Sequence, residues 1–130
     1  MKVVIDTSCV LAVLLNEEKR QSIIEATYGA DLFAPDILHA ELGNALSSLF
    51  KKNRIGLHHA IEVLQKFQVL PISLKPINVP NAIDLSHRYM IYAYDAYFLE
   101  LCMRQNYALL SLDAGMKQLA LDLHLPCITL

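Results

Sequence analysis

The N-terminal segment Lys2–Ser8 constrains the fold more than any other part of the chain. A continuous run of Val and Ile, with no polar alternation, ends on Asp6 and two hydroxyl residues. Such a run is typical of a strand that is buried on both faces of a parallel sheet. A helical pattern begins within two residues, which predicts Asp6 at the carboxyl edge of the sheet, where open α/β folds bind ligands. The alternative is that Asp6 only caps the following helix.

Apolar strand-like segments and helical periodicities alternate along the rest of the chain. This alternation predicts a parallel sheet with helices on both faces and with the first strand in the middle. A proline inside the candidate strand at 69–74 suggests that this strand lies at an edge of the sheet. The other strands are predicted at 32–34, 108–112 and 126–130, and the helices at 17–28, 36–53, 57–68, 81–89, 95–106 and 115–123. A length of 130 residues without linker or repeat predicts one domain, 1–130.

Composition narrows the classes of protein that fit. Hydrophobic residues make up 55% and charged residues 18%, yet no apolar run reaches the roughly 18 residues needed to span a bilayer. No signal-peptide pattern is visible, and Cys9, Cys102 and Cys127 lie in apolar segments, so we expect a cytoplasmic protein with buried thiols. A net charge of −2 argues against binding nucleic acid by charge alone. A nucleic-acid partner would need a local basic patch, or metal ions at an acidic site.

Four acids fall at comparable points of this layout. Asp6 and Asp113 each end an apolar strand, Asp95 opens a helix, and Glu41 lies in the first turns of a helix that follows a strand. Each one alone is as well explained by a helix cap or a solvated side chain. Converging carboxylates repel one another unless a cation holds them, and oxygen ligands suit Mg²⁺ or Mn²⁺. Such a cluster can activate water and neutralise a phosphodiester.

The same residues carry a resemblance to a known family. The segment Val4–Ser8 resembles the opening strand of PIN domains, and Ala40–Leu46 resembles their second acidic motif, an acid followed by Asn three residues later. Tyr94–Leu99 is similar to their third motif and Leu110–Asp113 to their fourth, with Ser111 in place of the usual Thr. The motifs occur in order, at family spacing, over essentially the whole chain. Within the family the chain is most similar to the single-domain ribonuclease toxins of VapBC-type toxin–antitoxin pairs.

The resemblance implies a three-layer α/β/α, PIN-like domain with a central parallel sheet of four to five strands. It implies an Mg²⁺- or Mn²⁺-dependent endoribonuclease that acts on RNA, with an antitoxin protein as partner, commonly a homodimer, and no membrane association. A non-catalytic PIN-like scaffold that binds RNA or protein is the alternative. The catalytic and metal-binding residues implied are Asp6, Glu41, Asp95 and Asp113, and Ser8 and Ser111 are the hydroxyls that orient these carboxylates.

Two further features bear on RNA contact. Lys51, Lys52 and Arg54 form a basic cluster that is either a contact for the RNA backbone or ordinary solvated surface. Four tyrosines between positions 89 and 97 surround Asp95, and they either stack on unpaired bases or pack at a helix junction or dimer contact. Gly115 stands where relatives often carry a basic residue just after the fourth acid, so the resemblance does not extend an RNA contact to that position.

Overall fold

The computed structural model describes residues 1–130 and contains four strands and seven helices. None of the helices has the length and apolar character needed to cross a membrane. In chain order the elements are β1 (Lys2–Ile5), α1 (Thr7–Leu14), α2 (Arg20–Ala26), β2 (Asp31–Pro35), α3 (Leu38–Lys51), α4 (Leu57–Val69), β3 (Ile72–Lys75), α5 (Val79–Tyr89), α6 (Ala93–Gln105), β4 (Ala108–Leu110) and α7 (Ala114–Asp122).

The four strands form one parallel sheet in the order β3-β2-β1-β4. The first strand is therefore in the middle, as predicted, and Val4 pairs with Phe33 on one side and Leu109 on the other. All three apolar residues of β1 are buried, which explains why its sequence shows no polar alternation. The edge position of β3 is also confirmed, although Pro71 precedes this strand instead of interrupting it.

Helices cover both faces of the sheet, because the connections between strands run in two directions. The chain steps from β1 to β2 to β3 in one direction, and right-handed crossovers then place α1 to α4 on one face. The return from β3 to β4 runs the other way and places α5 and α6 on the opposite face. Consistently, α1 packs on α2, α3 and α4, whereas α6 packs on α5 and on three strands. The predicted three-layer α/β/α fold is confirmed.

The helical periodicity predicts most of the buried faces correctly, with two exceptions. The helical spacing of apolar residues places Ile61 and Met103 on faces predicted to be buried, but they are 46% and 45% exposed. In α4 the buried residues are Ala60, Val63 and Phe67, so the buried face is rotated away from Ile61. A segment with many apolar residues fits the helical period in more than one rotation of the helix. Only contact with the sheet decides which of these residues are buried.

The C-terminal part of the sheet is shorter than the sequence predicts. The strand expected at 126–130 is reduced to one isolated bridge between Leu109 and Cys127. The strand expected at 108–112 ends at Leu110. Beyond it, the N–H groups of Leu112 and Asp113 donate to the hydroxyls of Ser8 and Ser111, at 3.2 and 3.0 Å. These two donors are satisfied by side chains, so no strand pairing is required there.

Candidate active site

Asp6 lies at the carboxyl end of β1 and is 6% exposed. One carboxylate oxygen, Oδ1, accepts hydrogen bonds from Ser8 Oγ at 2.6 Å and from the N–H of Cys9 at 3.1 Å. The other, Oδ2, accepts from Ser111 Oγ, which is 105 residues away in the chain. Asp6 is therefore the cap of α1, and it is also joined to the segment that follows β4.

Asp113 is reached through the same serine. The Ser111 hydroxyl that donates to Asp6 also accepts from the Asp113 N–H, and Asp113 Oδ1 accepts from the N–H of Met116 at 2.8 Å as the cap of α7. β1 and β4 are paired neighbours in the sheet, which brings together the strand ends that Asp6 and Asp113 follow. A Cβ at Gly115 would lie 3.1 Å from Asp113 Oδ1, so any side chain at this position would press on the carboxylate.

Glu41 is in the first turn of α3 and is half-buried. Its Oε2 accepts a hydrogen bond from Thr7 Oγ1 at 2.7 Å. Its Oε1 is buried and has no hydrogen-bond partner in the protein. Burial raises the pKa of Glu41; the Thr7 hydrogen bond opposes this rise, and the charges of Asp95 and Asp6 add to it.

Asp95 is the third residue of α6, and its position corrects the expectation that it opens this helix. The N-cap is Tyr92, whose side chain makes no capping bond, and the side chain of Asp95 makes no hydrogen bond to the rest of the protein. Its side chain is exposed. The pKa of Asp95 is raised, first by partial desolvation and then by the charges of Asp113 and Asp6. The residue still benefits from the helix dipole, because it lies in the first turn.

The electrostatic coupling links all four acids at one edge of the sheet. Asp95 is repelled by Asp113 and Asp6, and Glu41 is repelled by Asp95 and Asp6. The cluster is open, since no three acidic, histidine or cysteine side chains converge closely enough to form a ready-made metal site. Its chemistry nevertheless fits a hard divalent cation, because all donors are oxygens and a buried oxygen of Glu41 has no partner.

Comparison with known proteins identifies the family, since residues 3–121 match the PIN domain family. The chain belongs to the PIN domain family. It is 28% identical to the VapC ribonuclease Mb0985 of Mycobacterium bovis over 111 residues, 85% of each chain. Two solved structures have the same fold. VapC20 of Mycobacterium tuberculosis, a sarcin-ricin loop cleaving toxin, gives a TM-score of 0.65 at 11% identity over 89% of this chain and 93% of that one. VapBC2 of Rickettsia felis, bound to a promoter DNA fragment, gives 0.62 at 13% identity over 98% and 97%.

The acidic edge of this PIN domain opens into a cleft of about 440 Å³. The cleft is lined by Thr7, Ala40, Glu41, Asn44, Ala45 and Tyr94. Sequence reasoning missed the part that Thr7 plays there, although this hydroxyl directly follows the first acid.

Sequence reasoning also missed a buried acid away from the cleft, Glu100, which is 4% exposed. Arg104 pairs with Glu100 at 3.1 Å, one turn along α6, and the i,i+4 spacing of opposite charges was the available signal.

Proposed function

We propose that this PIN domain is a metal-dependent endoribonuclease that hydrolyses RNA phosphodiester bonds, as the toxin of a VapBC-type toxin–antitoxin pair. The observation that carries the proposal is the set of four carboxylates at one sheet edge, each repelled by at least one of the others, in a chain of this family. Repulsion that the protein itself leaves uncompensated favours binding of a cation. The similarity to a VapC ribonuclease supports RNA as the substrate.

In this proposal Asp6, Glu41, Asp95 and Asp113 hold Mg²⁺ or Mn²⁺. When bound, the ion supplies an activated water and neutralises the charge that develops on the phosphate. Ser8 and Ser111 fix both oxygens of Asp6, so its orientation is set before any ligand arrives. Thr7 holds one oxygen of Glu41 and leaves the other without a protein partner.

The proposal includes two protein partners and a cytoplasmic location. A homodimer is supported by exposed apolar side chains that surround a hollow of about 580 Å³ on α5 and the loop that follows it, among them Ile83, Met90 and Tyr92. A cognate antitoxin is supported by the similarity to VapBC2. Light scattering is expected to show a dimer, and a monomer at high concentration would remove the dimer from the proposal. Co-expression with a small protein encoded beside it is expected to abolish RNA cleavage.

Cleavage of total RNA by the purified protein tests the proposed activity. We expect activity with Mg²⁺ or Mn²⁺, none with EDTA, and recovery when the metal is restored. Asp6→Asn is expected to be inactive. Asp31→Asn is the matched control, because Asp31 is an exposed acid at the start of β2, at the opposite edge of the sheet. If EDTA has no effect on cleavage, or if Asp6→Asn cleaves as fast as Asp31→Asn, the proposed metal-dependent activity is wrong. If the unaltered protein cleaves no RNA with either metal, the non-catalytic scaffold is the better account.

A further inference from the structure

The cleft beside the four acids contains two side chains that the proposed chemistry does not use, Tyr94 and Asn44. Tyr94 is 58% exposed, and Asn44 is also exposed and makes no side-chain hydrogen bond within the protein. Thr7, Glu41 and the two alanines at positions 40 and 45 complete the lining of the cleft. We call this space the tyrosine cleft. A flat aromatic wall, a free amide and small apolar residues are the elements of a site for a planar, polar-edged ligand.

The ring of Tyr94 is held in place beside the acids. Tyr94 immediately precedes Asp95 in α6, so the ring and the carboxylate leave the same helical turn. Tyr97, which is half-buried, contacts Tyr94 edge to face, with ring centroids 6.2 Å apart and planes at 78°. This contact restricts the Tyr94 ring without burying it. An aromatic ring that is fixed but accessible is what proteins use to stack unpaired bases.

Asn44 and the basic cluster extend the tyrosine cleft along α3. Asn44 lies three residues after Glu41, on the same face of the helix. Its amide offers both a donor and an acceptor, which suits the polar edge of a base. Lys51 and Lys52 lie near the C-terminal end of the same helix, about 10 Å beyond Asn44 at roughly 1.5 Å per residue. In an extended RNA strand, the phosphates next to the bound base can contact these two lysines.

We propose that the tyrosine cleft binds one unpaired RNA base, stacked on Tyr94 and hydrogen-bonded by Asn44, next to the phosphodiester that lies at the acids. The inference rests on the proposed function and adds to it a site for one base and the residues that form this site. A base paired within a duplex is stacked on both faces, so it has no free face for Tyr94, and its Watson–Crick edge is not available to Asn44. Tyr94 is thus a specificity-determining residue, and it takes no part in the bond cleavage itself.

Binding measurements on a non-cleaving protein separate base stacking from backbone contact. In the Asp6→Asn background, fluorescence anisotropy compares a 12-nucleotide oligouridylate with an abasic ribose-phosphate strand of equal length. Tyr94→Ala is expected to weaken binding of the oligouridylate by roughly 10- to 100-fold and to leave the abasic strand unchanged. Tyr94→Phe, which keeps the ring, should bind like the parent. Tyr28→Ala is the matched control, since Tyr28 is 91% exposed and lies away from the tyrosine cleft.

Kinetics on the otherwise unaltered protein give the second readout. Tyr94→Ala is expected to raise KM for single-stranded RNA by roughly 10-fold or more with little change in kcat. If the protein cleaves RNA but Tyr94→Ala binds both strands as the parent does, base stacking is wrong while the nuclease stands. If Tyr94→Ala weakens binding of the oligouridylate but not of the abasic strand, and the protein cleaves no RNA, then base stacking is supported and the proposed nuclease activity is wrong. Recovery of binding by Tyr94→Phe excludes misfolding as the cause of a loss, and loss in both Tyr94 variants with normal thermal melts overturns the inference.

Discussion

The two halves of the acidic edge are held in opposite ways. In the strand half, Asp6 and Asp113 follow β1 and β4, and their oxygens accept four hydrogen bonds from serines and backbone N–H groups. In the helix half, Glu41 and Asp95 lie on α3 and α6, and together they accept one, from Thr7. The strand half is thus ordered by the protein alone, whereas the helix half carries charge that the protein does not compensate.

The difference has an energetic consequence for ligand binding. Charge-assisted hydrogen bonds offset the lost hydration of Asp6, which is nearly fully buried. The Oε1 of Glu41 has no such bond, and an unpaired buried acceptor costs free energy. The pKa values of Glu41 and Asp95 are raised, in Glu41 first by burial and in Asp95 first by partial desolvation. We infer that the strand half fixes the geometry of the site, and that the uncompensated negative charge of the helix half favours binding of a cation or a proton.

The largest expected effect is on activity when the strand half is broken at Asp6. Asp6→Asn removes one anionic oxygen ligand from the cluster. A metal ion at the phosphate lowers the activation free energy by several kcal/mol, and each 1.36 kcal/mol changes the rate about tenfold. RNA cleavage should fall by about two orders of magnitude or more in an assay at saturating Mn²⁺. Activity within a few-fold of the Asp31→Asn control would contradict the role of Asp6.

Stability should change much less in Asp6→Asn, because two effects oppose each other. Removal of one charge relieves repulsion of Glu41 and Asp95. Asn also caps a helix as well as Asp does. Its amide nitrogen, however, donates where the carboxylate accepted, so one serine hydroxyl loses its acceptor. Urea unfolding should show a net change in the free energy of unfolding of no more than about 1–2 kcal/mol.

The next largest effect is expected when the link between the two strand-half acids is cut. Ser111→Ala removes the donor to Asp6 and leaves the Asp113 N–H without its partner, at a residue that is 2% exposed. We expect a loss of about 1–3 kcal/mol in unfolding free energy and roughly tenfold lower activity. Ser111→Thr keeps the hydroxyl and should retain most of both, and Ser73→Ala, exposed on β3, should change neither. Unchanged activity and stability in Ser111→Ala would show that Asp6 does not depend on this bond.

Sequence patterns predicted the strand half better than the helix half, for a physical reason. The apolar run before Asp6 and the helical period after it are local, so the strand end and the cap were both visible. The Ser111–Asp6 bond joins residues 105 positions apart and depends on the register of β1 against β4. The unpaired oxygen of Glu41 and the orientation of Tyr94 depend on side-chain conformations that only packing fixes. Local patterns therefore picked out the candidate acids, and the family resemblance added Ser8 and Ser111, but neither showed that Glu41 keeps an oxygen without a partner.

A smaller effect is expected from pH on the helix half. The folded-state pKa of Glu41 is raised, so the folded metal-free protein holds its proton more tightly than the unfolded chain does. Stability should therefore fall as pH rises through the ordinary carboxyl range and level off above the folded-state pKa. Glu41→Gln removes this contribution, and its metal-free Tm at neutral pH should exceed that of the unaltered protein.

Metal and a matched variant sharpen the test of Glu41. Addition of Mg²⁺ or Mn²⁺ should raise the Tm of the unaltered protein more than that of Glu41→Gln, because the variant has lost a charged ligand. Glu18→Gln, at an exposed acid away from the site, should follow the unaltered protein at every pH. An equal metal-induced shift in Glu41→Gln would remove Glu41 from the proposed metal ligands.

The smallest expected effect comes from the single hydrogen bond of the helix half. Thr7→Val removes the hydroxyl that donates to Glu41 Oε2 at 2.7 Å and that opposes the rise of its pKa. The pKa of Glu41 should rise further, and since a metal ligand must be deprotonated, the acid limb of the pH–rate profile should move to higher pH. Because Glu41 is only half-buried, solvent screens the loss, and we expect roughly three- to tenfold lower activity near neutral pH. Thr7→Ser keeps the donor and should leave the limb in place. A limb that moves as far in Thr7→Ser as in Thr7→Val would contradict this role of the hydroxyl, because the serine still supplies the donor.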